Sequence, residues 1–343
     1  MKTFTAAGLV VLALSQQAPG HRFTWQAQTS GVAARLRGVS AASEHVVWAS
    51  GEKGTVLRTA DGGATWTKLT VPDAAALDFR DVDAVSDSTA YLLSIGKGTA
   101  SRIFKTTDAG AHWQNQFTNE DPAAFYDAMT FWDARRGLAI SDSVNGSFVI
   151  LTTRDGGATW TRVPAGALPP ALPNEGAFAG SGTNIAVAAG GHAWIGTGAA
   201  ARSRVLRTAD GGATWAIAET PLNASESAGI FSVAFRNPRE GMTVGGDYQQ
   251  ERSAENVAAF SPDGGVTWKP IRGLGGFRSA VAPVPGTPRS WVAVGPTGAD
   301  LSPDNGQSWV PIQGEGYHAF AFAPRGHAGW GVGEGGRIAK LTW

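Results

Sequence analysis

The chain has 343 residues, 46 glycines, 13 tryptophans and no formal net charge, because 28 Lys and Arg residues balance 28 Asp and Glu residues. The hydrophobic fraction of 43% is enough for a sizeable core, and the balanced charge excludes a general attraction to nucleic acid or to an anionic membrane. A sequence without cysteine cannot form disulfides, thiolate metal sites or a lipoprotein anchor.

The first residues indicate a secretory signal peptide. A basic Lys2 precedes an apolar run over residues 6–14 and then small and polar residues, a run about half the length of a membrane span. We expect residues 1–19 to be removed and residues 20–343 to form one folded domain. The sequence therefore predicts a periplasmic or secreted protein with no membrane span.

An eight-residue motif recurs six times along the remaining chain. Its first copy, Thr-Ala-Asp-Gly-Gly-Ala-Thr-Trp, occupies residues 59–66. The carboxylate can accept backbone N–H bonds within its own turn, the glycines can adopt positive φ, and the tryptophan can pack against a neighbouring unit. Steps of 41 to 55 residues between copies suit a four-stranded blade. The aspartates to which we assign a structural role are Asp61, Asp108, Asp155, Asp210, Asp263 and Asp304.

Each unit is predicted to contain four strands, a to d, from its alternating pattern and flanking glycines. In the first unit these strands cover residues 37–42, 46–50, 55–58 and 65–69. After the sixth motif the chain supplies three more strands, over residues 317–323, 329–333 and 337–341. Residues 23–28 match a strand d and are expected to complete that last unit. The prediction is an all-β, seven-bladed β-propeller of four-stranded antiparallel blades, closed by its N-terminal strand. Such a ring is expected to be a monomer because it leaves no unpaired sheet edge.

The repeated unit resembles those of a known superfamily. Leu36-Arg-Gly-Val-Ser, followed by the segment from Val47 to Trp66, is similar to units of the Asp-box, or bacterial neuraminidase repeat, superfamily, and more closely to photosystem II stability/assembly factor-like propellers. The resemblance implies a functional face formed by the d–a and b–c loops, opposite the Asp boxes. In the assembly-factor-like family it also implies an arginine patch that contacts a partner protein. Sialidases are a more distant resemblance, since their Arg-Ile-Pro signature is missing after Arg37.

Alignment of the predicted a strands places polar residues around the central channel. The first ring position reads Arg37, Arg80, Tyr126, Glu175, Phe231, Arg278 and His318. The second reads Gly38, Asp81, Asp127, Gly176, Ser232, Ser279 and Ala319, and the b–c loops add Asp142, Asp247 and Tyr248. Buried charges are costly unless they are paired or used, so a polar binding mouth is one interpretation. The alternative is a wet channel whose charges pair with one another.

Two functions follow from this mouth. The first is an exported binding or assembly protein that holds a partner protein segment or an anionic ligand, with Arg37, Arg80, Tyr126, Arg278, His318 and Tyr248 as ligand-binding candidates. The second is a carbohydrate-active hydrolase or lyase, which uses a pair of carboxylates as acid and base. Its catalytic candidates are Asp127, Asp142, Glu175 and Asp247. Aromatic platforms would favour the enzyme, and the candidates for them are Phe231, Tyr248 and Tyr317. Whether the protein is an enzyme is left open.

No cofactor or metal is expected. The six histidines lack metal-ligand spacing, and the sequence has no Gly-x-Ser-x-Gly motif. The glycine-rich segment 331–336 is not followed by a predicted helix, so it lacks the context of a dinucleotide loop. The expected partner is an exported protein or a saccharide, and not nucleic acid.

Overall fold

The computed structural model describes residues 23–343 and shows an all-β ring of seven four-stranded antiparallel sheets. The predicted signal peptide, residues 1–19, lies outside the described residues. Three short 3₁₀ turns are the remaining regular elements of the described chain. No helix of residues 23–343 is long and apolar enough to cross a membrane. The predicted seven-bladed propeller is confirmed.

The first strands of neighbouring blades contact one another around the channel, and the strands of blades 1 to 6 follow outward in chain order. In blade 7 the N-terminal strand is the outermost. Blade 1 comprises β2 (Leu36–Ala41), β3 (Val47–Gly51), β4 (Thr55–Thr59) and β5 (Thr67–Leu69). Blade 2 comprises β6 (Asp78–Ala84), β7 (Ala90–Ile95), β8 (Arg102–Thr106) and β9 (Gln114–Thr118). Blade 3 comprises β10 (Tyr126–Phe131), β11 (Gly137–Val144), β12 (Ser147–Thr153) and β13 (Thr161–Arg162). Blade 4 comprises β14 (Ile185–Ala188), β15 (His192–Gly196), β16 (Arg204–Thr208) and β17 (Ala216–Glu219). Blade 5 comprises β18 (Ala228–Phe235), β19 (Gly241–Asp247), β20 (Ala258–Ser261) and β21 (Lys269–Ile271). Blade 6 comprises β22 (Ala280–Pro283), β23 (Trp291–Gly295), β24 (Gly298–Ser302) and β25 (Val310–Ile312). Blade 7 comprises β26 (Ala319–Phe322), β27 (Ala328–Val332), β28 (Ile338–Thr342) and β1 (Thr24–Gln28).

The N-terminal strand closes the ring. Strand β1 pairs antiparallel with β28, with Thr24 opposite Thr342 and Gln28 opposite Ile338. The Trp25 ring lies 4.4 Å, centroid to centroid, from the Tyr317 ring, so the two ends of the chain share one core. The predicted closure of the last blade is therefore confirmed.

The repeated motif forms the same turn six times. In every copy the Asp carboxylate accepts the backbone N–H of the residue four positions later, at 2.8–3.0 Å. The preceding Thr or Ser hydroxyl accepts the N–H of the motif's second glycine, as Thr59 Oγ1 does from Gly63 at 2.9 Å. The hydroxyl and then the N–H of Thr65, which both donate to the Asp61 carboxylate, are the main causes that lower the pKa of Asp61 to about 2. The same turn geometry thus joins strands c and d in each of the six blades that carry the motif.

Polar side chains of the inner strands join neighbouring blades. Asp81 Oδ2 accepts the Met129 N–H at 2.7 Å and Asp83 Oδ2 accepts the Phe131 N–H at 2.8 Å, so blade 2 holds the first strand of blade 3. Ser232 Oγ accepts the Val281 N–H at 3.0 Å between blades 5 and 6. Part of the polarity predicted for the channel therefore serves the contacts between blades.

Candidate functional site: the central pocket

The inner strands of four blades carry a bulge at the start. In β2, β6, β10 and β18 one residue is skipped in the pairing with the second strand, and the skipped residues are Arg37, Arg80, Asp127 and Phe231. A bulge leaves one residue unpaired and re-aims its side chain. All four skipped residues line one cavity of about 450 Å³ at the predicted mouth, which we call the central pocket.

A loop from blade 4, residues 177–184, crosses the channel beneath the pocket. The Ala179 carbonyl accepts from Arg80 of blade 2 at 3.0 Å, and Ser181 Oγ donates to the Ser279 carbonyl of blade 6 at 2.7 Å. Gly182, at φ +73°, lies so close to Asp81 that an added Cβ would be 2.2 Å from its Oδ1. The loop therefore closes the channel and turns an open mouth into a pocket with a floor.

Arg37 and Arg80 form the basic corner of the pocket. Arg80 Nε donates to Asp78 Oδ2 at 2.9 Å, but no carboxylate of residues 23–343 forms an ion pair with Arg37. The Arg37 Nε is buried without a hydrogen-bond partner among the described residues. Burial, followed by the charges of Arg80 and Arg35, lowers the pKa of Arg37 to about 10. Glu334 and Asp78 act on Arg37 as nearby negative charges and oppose this lowering, but neither forms an ion pair with it. Of the two guanidinium groups in this corner, Arg80 alone has an ion-pair partner within the described chain.

Asp127 and Asp142 form the acidic corner. Asp142 Oδ1 accepts the Ala177 N–H at 3.1 Å, and burial raises the pKa of this carboxyl to about 6. Asp127 is 1% exposed, and its Oδ2 has no hydrogen-bond partner among the described residues. Burial, with the Asp142 charge as the second cause, raises the pKa of Asp127 well above its usual value. This corner therefore offers an unsatisfied acceptor and a carboxyl group that readily holds a proton.

His318 lines the pocket beside the basic corner. Its Nε2 lies 2.7 Å from Glu334 Oε1, while its buried Nδ1 has no partner in the described chain. Burial and the Arg37 charge lower the pKa of His318 to about 4. The imidazole is therefore neutral at pH 7, and one of its nitrogens is unused.

An aromatic wall completes the pocket, and we define it as Phe178, Phe231, Tyr248 and Phe277. Phe178, on the blade-4 loop, stacks on Phe231 with ring centroids 4.1 Å apart and planes 10° apart. Tyr248 contacts both rings by its edge and is 46% exposed. The wall thus presents an apolar surface, with the Tyr248 ring accessible to solvent.

Five of the residues considered for the site lie off the pocket lining. Tyr126 is buried beside Phe117, because the bulge in β10 turns Asp127, and not Tyr126, towards the channel. Asp247 is not in the lining either, and its carboxylate accepts the Gln249 N–H of its own loop. Tyr317, one of the aromatic platforms considered, is buried against β1.

The other two, Glu175 and Arg278, are held in buried ion pairs. Glu175 contacts the Arg204 guanidinium through both carboxylate oxygens and also accepts the Thr197 hydroxyl. Arg278 donates through Nε to Asp300 Oδ2 at 2.7 Å, and both side chains are at least 95% buried. At these two positions the charges of the inner ring pair within the protein.

Comparison with solved structures identifies similar folds. One is YCF48 bound to a D1 peptide, with a TM-score of 0.65, 18% identity, and coverage of 93% of this chain and 97% of the other. A second is YCF48 from Cyanidioschyzon merolae, with a TM-score of 0.67, 16% identity and coverage of 93% and 98%. A third is the GH74 xyloglucanase from Xanthomonas campestris, with a TM-score of 0.65 and 16% identity, where 92% of this chain matches 53% of the enzyme. At these identities the likeness establishes the fold alone. The sequence matches no protein-family model and no curated protein.

Several pocket residues were not singled out from the sequence. Phe178 and the blade-4 loop were missed, although the 55-residue step from Asp155 to Asp210 and the run Ala-Gly-Ser-Gly at residues 179–182 indicate an insertion in that blade. Phe277 was missed because it precedes Arg278, to which the ring position was assigned. Within the described residues, no cluster of three or more His, Asp or Glu side chains is arranged to hold a metal ion.

Proposed function

We propose that this protein is an exported binding protein whose central pocket holds a segment of a partner protein through an acidic group. The observation that carries the proposal is that Arg37 lies beside Arg80 in the pocket and forms no ion pair with any carboxylate of the described chain. A guanidinium binds carboxylates through charge-assisted hydrogen bonds, and these are strongest where water is partly excluded. An anionic group in this corner would also relieve the repulsion between the two arginines.

The aromatic wall supports a peptide as the ligand. Apolar pockets with a few placed polar groups bind ligands that combine both characters, and a peptide supplies side chains for Tyr248 and Phe178 as well as an acidic group. The similar fold of YCF48 bound to a D1 peptide is consistent with this use of a propeller. Arg278, the third arginine predicted to bind the ligand, is not part of this proposal, since its guanidinium forms an ion pair with Asp300.

A peptide array tests the proposal. Peptides tethered through their C-termini are probed with labelled wild-type protein and with the double variant Arg37→Gln, Arg80→Gln. The wild type should prefer peptides with Asp or Glu, and the double variant should lose that preference. Arg289→Gln, at an exposed arginine away from the pocket, is the matched control and should keep it. Equal binding of acidic and neutral peptides by the wild type would contradict the proposal.

A glycoside hydrolase or lyase is the second candidate, and the observation that favours it is the acidic corner. Asp127 and Asp142 share one pocket, and both carboxyls have raised pKa values, as a general acid requires. Hydrolysis of a polysaccharide panel by the wild type, lost in both Asp127→Asn and Asp142→Asn, would replace the binding proposal with this one. The panel is also examined for the unsaturated products of a lyase, and no cleavage of either kind would eliminate the enzyme.

A further inference from the structure

The central pocket contains two regions of opposite charge, and only the basic corner has a role in the proposed function. Asp127 and Asp142 come from blade 3, next to Arg80 of blade 2. Arg80 acts on Asp127 as a nearby charge, and Lys97 acts in the same way on Asp142. Neither Arg80 nor Lys97 forms an ion pair with these two carboxylates within the described chain. The ion-pair partner of Arg80 is Asp78.

The unused acceptor of Asp127 is the feature that needs an explanation. Asp127 lines the central pocket, and its Oδ2 is buried and forms no hydrogen bond with residues 23–343. The backbone N–H groups of Asp142 and Ala179 lower the pKa of this carboxyl, but they do not outweigh its burial. A buried acceptor without a donor is destabilising, and native structures leave few of them without a ligand, a water molecule or a functional role. The cost is removed if the ligand brings a donor to this point.

We infer that the acidic corner binds a protonated primary amine of the peptide ligand, supplied by a free N-terminus or by a lysine side chain. An ammonium group carries three donors and a positive charge, which match two carboxyl groups that share one pocket. Asp127 Oδ2 and the oxygens of Asp142 accept from it, while the acidic group of the same peptide lies at the basic corner. This inference rests on the proposed function and narrows its ligand to a zwitterionic segment.

Proton release accompanies this binding. The Asp142 carboxyl has its pKa raised to about 6 by burial, and that of Asp127 is also raised. A bound ammonium favours the ionised carboxylates, so each carboxylic acid that ionises gives its proton to the solvent. Affinity therefore rises with pH, by up to about tenfold per unit for each linked proton, until the free carboxyl is ionised. Arg80 lowers the pKa of Asp127 and Lys97 lowers that of Asp142, but both pKa values remain raised. The other titratable groups of the lining are Arg37, Tyr248, Glu251 and His318.

The experiment uses the peptide array with its acidic members in three forms: a free N-terminus without lysine, an acetylated N-terminus without lysine, and an acetylated N-terminus with lysine. Dissociation constants of the strongest members are then measured in solution as C-terminal amides. We expect acetylation without lysine to weaken binding by wild-type protein at least tenfold. The lysine form distinguishes the two sources, since it restores binding only if a side-chain ammonium is accepted.

The variants Asp127→Asn and Asp142→Asn should each abolish most of the preference for the amine. Asparagine keeps a side-chain oxygen for the Ala177 N–H at position 142, so the blade-4 loop retains its contact. Asp87→Asn, at an exposed carboxylate outside the pocket lining, is the matched control and should retain the preference. Thermal unfolding of each variant without peptide confirms that it is folded.

The outcomes separate the two proposals. One outcome is that acidic peptides bind equally well with and without acetylation, and equally well to the wild type and both Asn variants. That result would overturn the proposed amine site and leave the proposed role of the basic corner intact. An amine preference that survives in Arg37→Gln, Arg80→Gln, together with no preference for acidic peptides in the wild type, would overturn the proposed function alone. Failure of every peptide to bind at about 1 mM, roughly −4 kcal/mol, would contradict both.

Discussion

Replacing Asp83 by Asn should stabilise the protein in a pH-dependent way. Burial raises the pKa of Asp83 from 3.8 to about 6, against the hydrogen bond that its carboxylate accepts from the Phe131 N–H. The native chain therefore holds a proton that the unfolded chain releases over this range. Stability from this group is fully present below pH 3.8 and is lost as the pH rises through about 6.

The size of the effect follows from the same shift. The difference of about 2.2 units between 3.8 and about 6 corresponds to about 3 kcal/mol, at 1.36 kcal/mol per unit. Asparagine keeps the oxygen that accepts from Phe131 and cannot ionise. The free energy of unfolding of Asp83→Asn, relative to that of the wild type, should thus rise by about 2 kcal/mol between pH 4 and pH 7, because a small part of the full effect has already developed at pH 4.

Urea unfolding at the two pH values, followed by tryptophan fluorescence, measures this difference. Comparison of variant with wild type cancels the contributions of the other titrating groups, apart from Asp81, whose raised pKa is partly caused by the Asp83 charge. Asp87→Asn, at an exposed carboxylate on the rim of the ring, should leave the wild-type pH profile unchanged. An equal effect of Asp83→Asn at both pH values would refute the reasoning.

Three further predictions concern buried polar contacts and the blade-4 loop. Thr59→Val leaves the buried Gly63 N–H without its acceptor and should lower the free energy of unfolding by about 1–3 kcal/mol in urea titrations, whereas Thr59→Ser should lower it much less. Arg278→Met leaves the buried Asp300 carboxylate without its ion-pair partner and should lower the free energy of unfolding by about 3–5 kcal/mol. The double variant with Asp300→Leu should recover most of this loss, and no recovery would contradict the pairing. Gly182→Ala places a Cβ against a buried carboxylate at positive φ and should lower the thermal midpoint, so an unchanged midpoint would argue against the described loop.

The fold was predictable because its information is local and repeated. Six copies of one turn establish the blade period, and the unmatched strand at residues 23–28 establishes the closure with β28. The turn needs only neighbouring residues, since Thr59, Asp61 and Thr65 satisfy one another within seven positions. No long-range contact has to be known to predict such a unit.

The site was predicted less completely because it depends on register and on distant partners. Arg37, Arg80 and Phe231 reach the pocket as predicted from the alignment, but a bulge in β10 exchanges Tyr126 for Asp127. A shift of one residue reverses the face of a strand, and the blade-3 sequence does not show which residue is skipped.

Ion pairing removed other candidates from the pocket. Glu175 is paired with Arg204, 29 positions away, and Arg278 with Asp300, 22 positions away. Each pair joins the segment before the first strand of a blade to the third strand of that blade, and neither pair is apparent from composition or spacing. The blade-4 loop, whose residues contact several blades at once, could be recognised in sequence only as an insertion.

The most direct test of the account is a crystal structure of the protein with the peptide that binds most tightly on the array. The account predicts the peptide in the central pocket, with its acidic group about 2.7–2.9 Å from the guanidinium groups of Arg37 and Arg80 and its amine against Asp127 and Asp142. A peptide bound elsewhere, for example along the turns that carry Asp61 and Asp108, would contradict it.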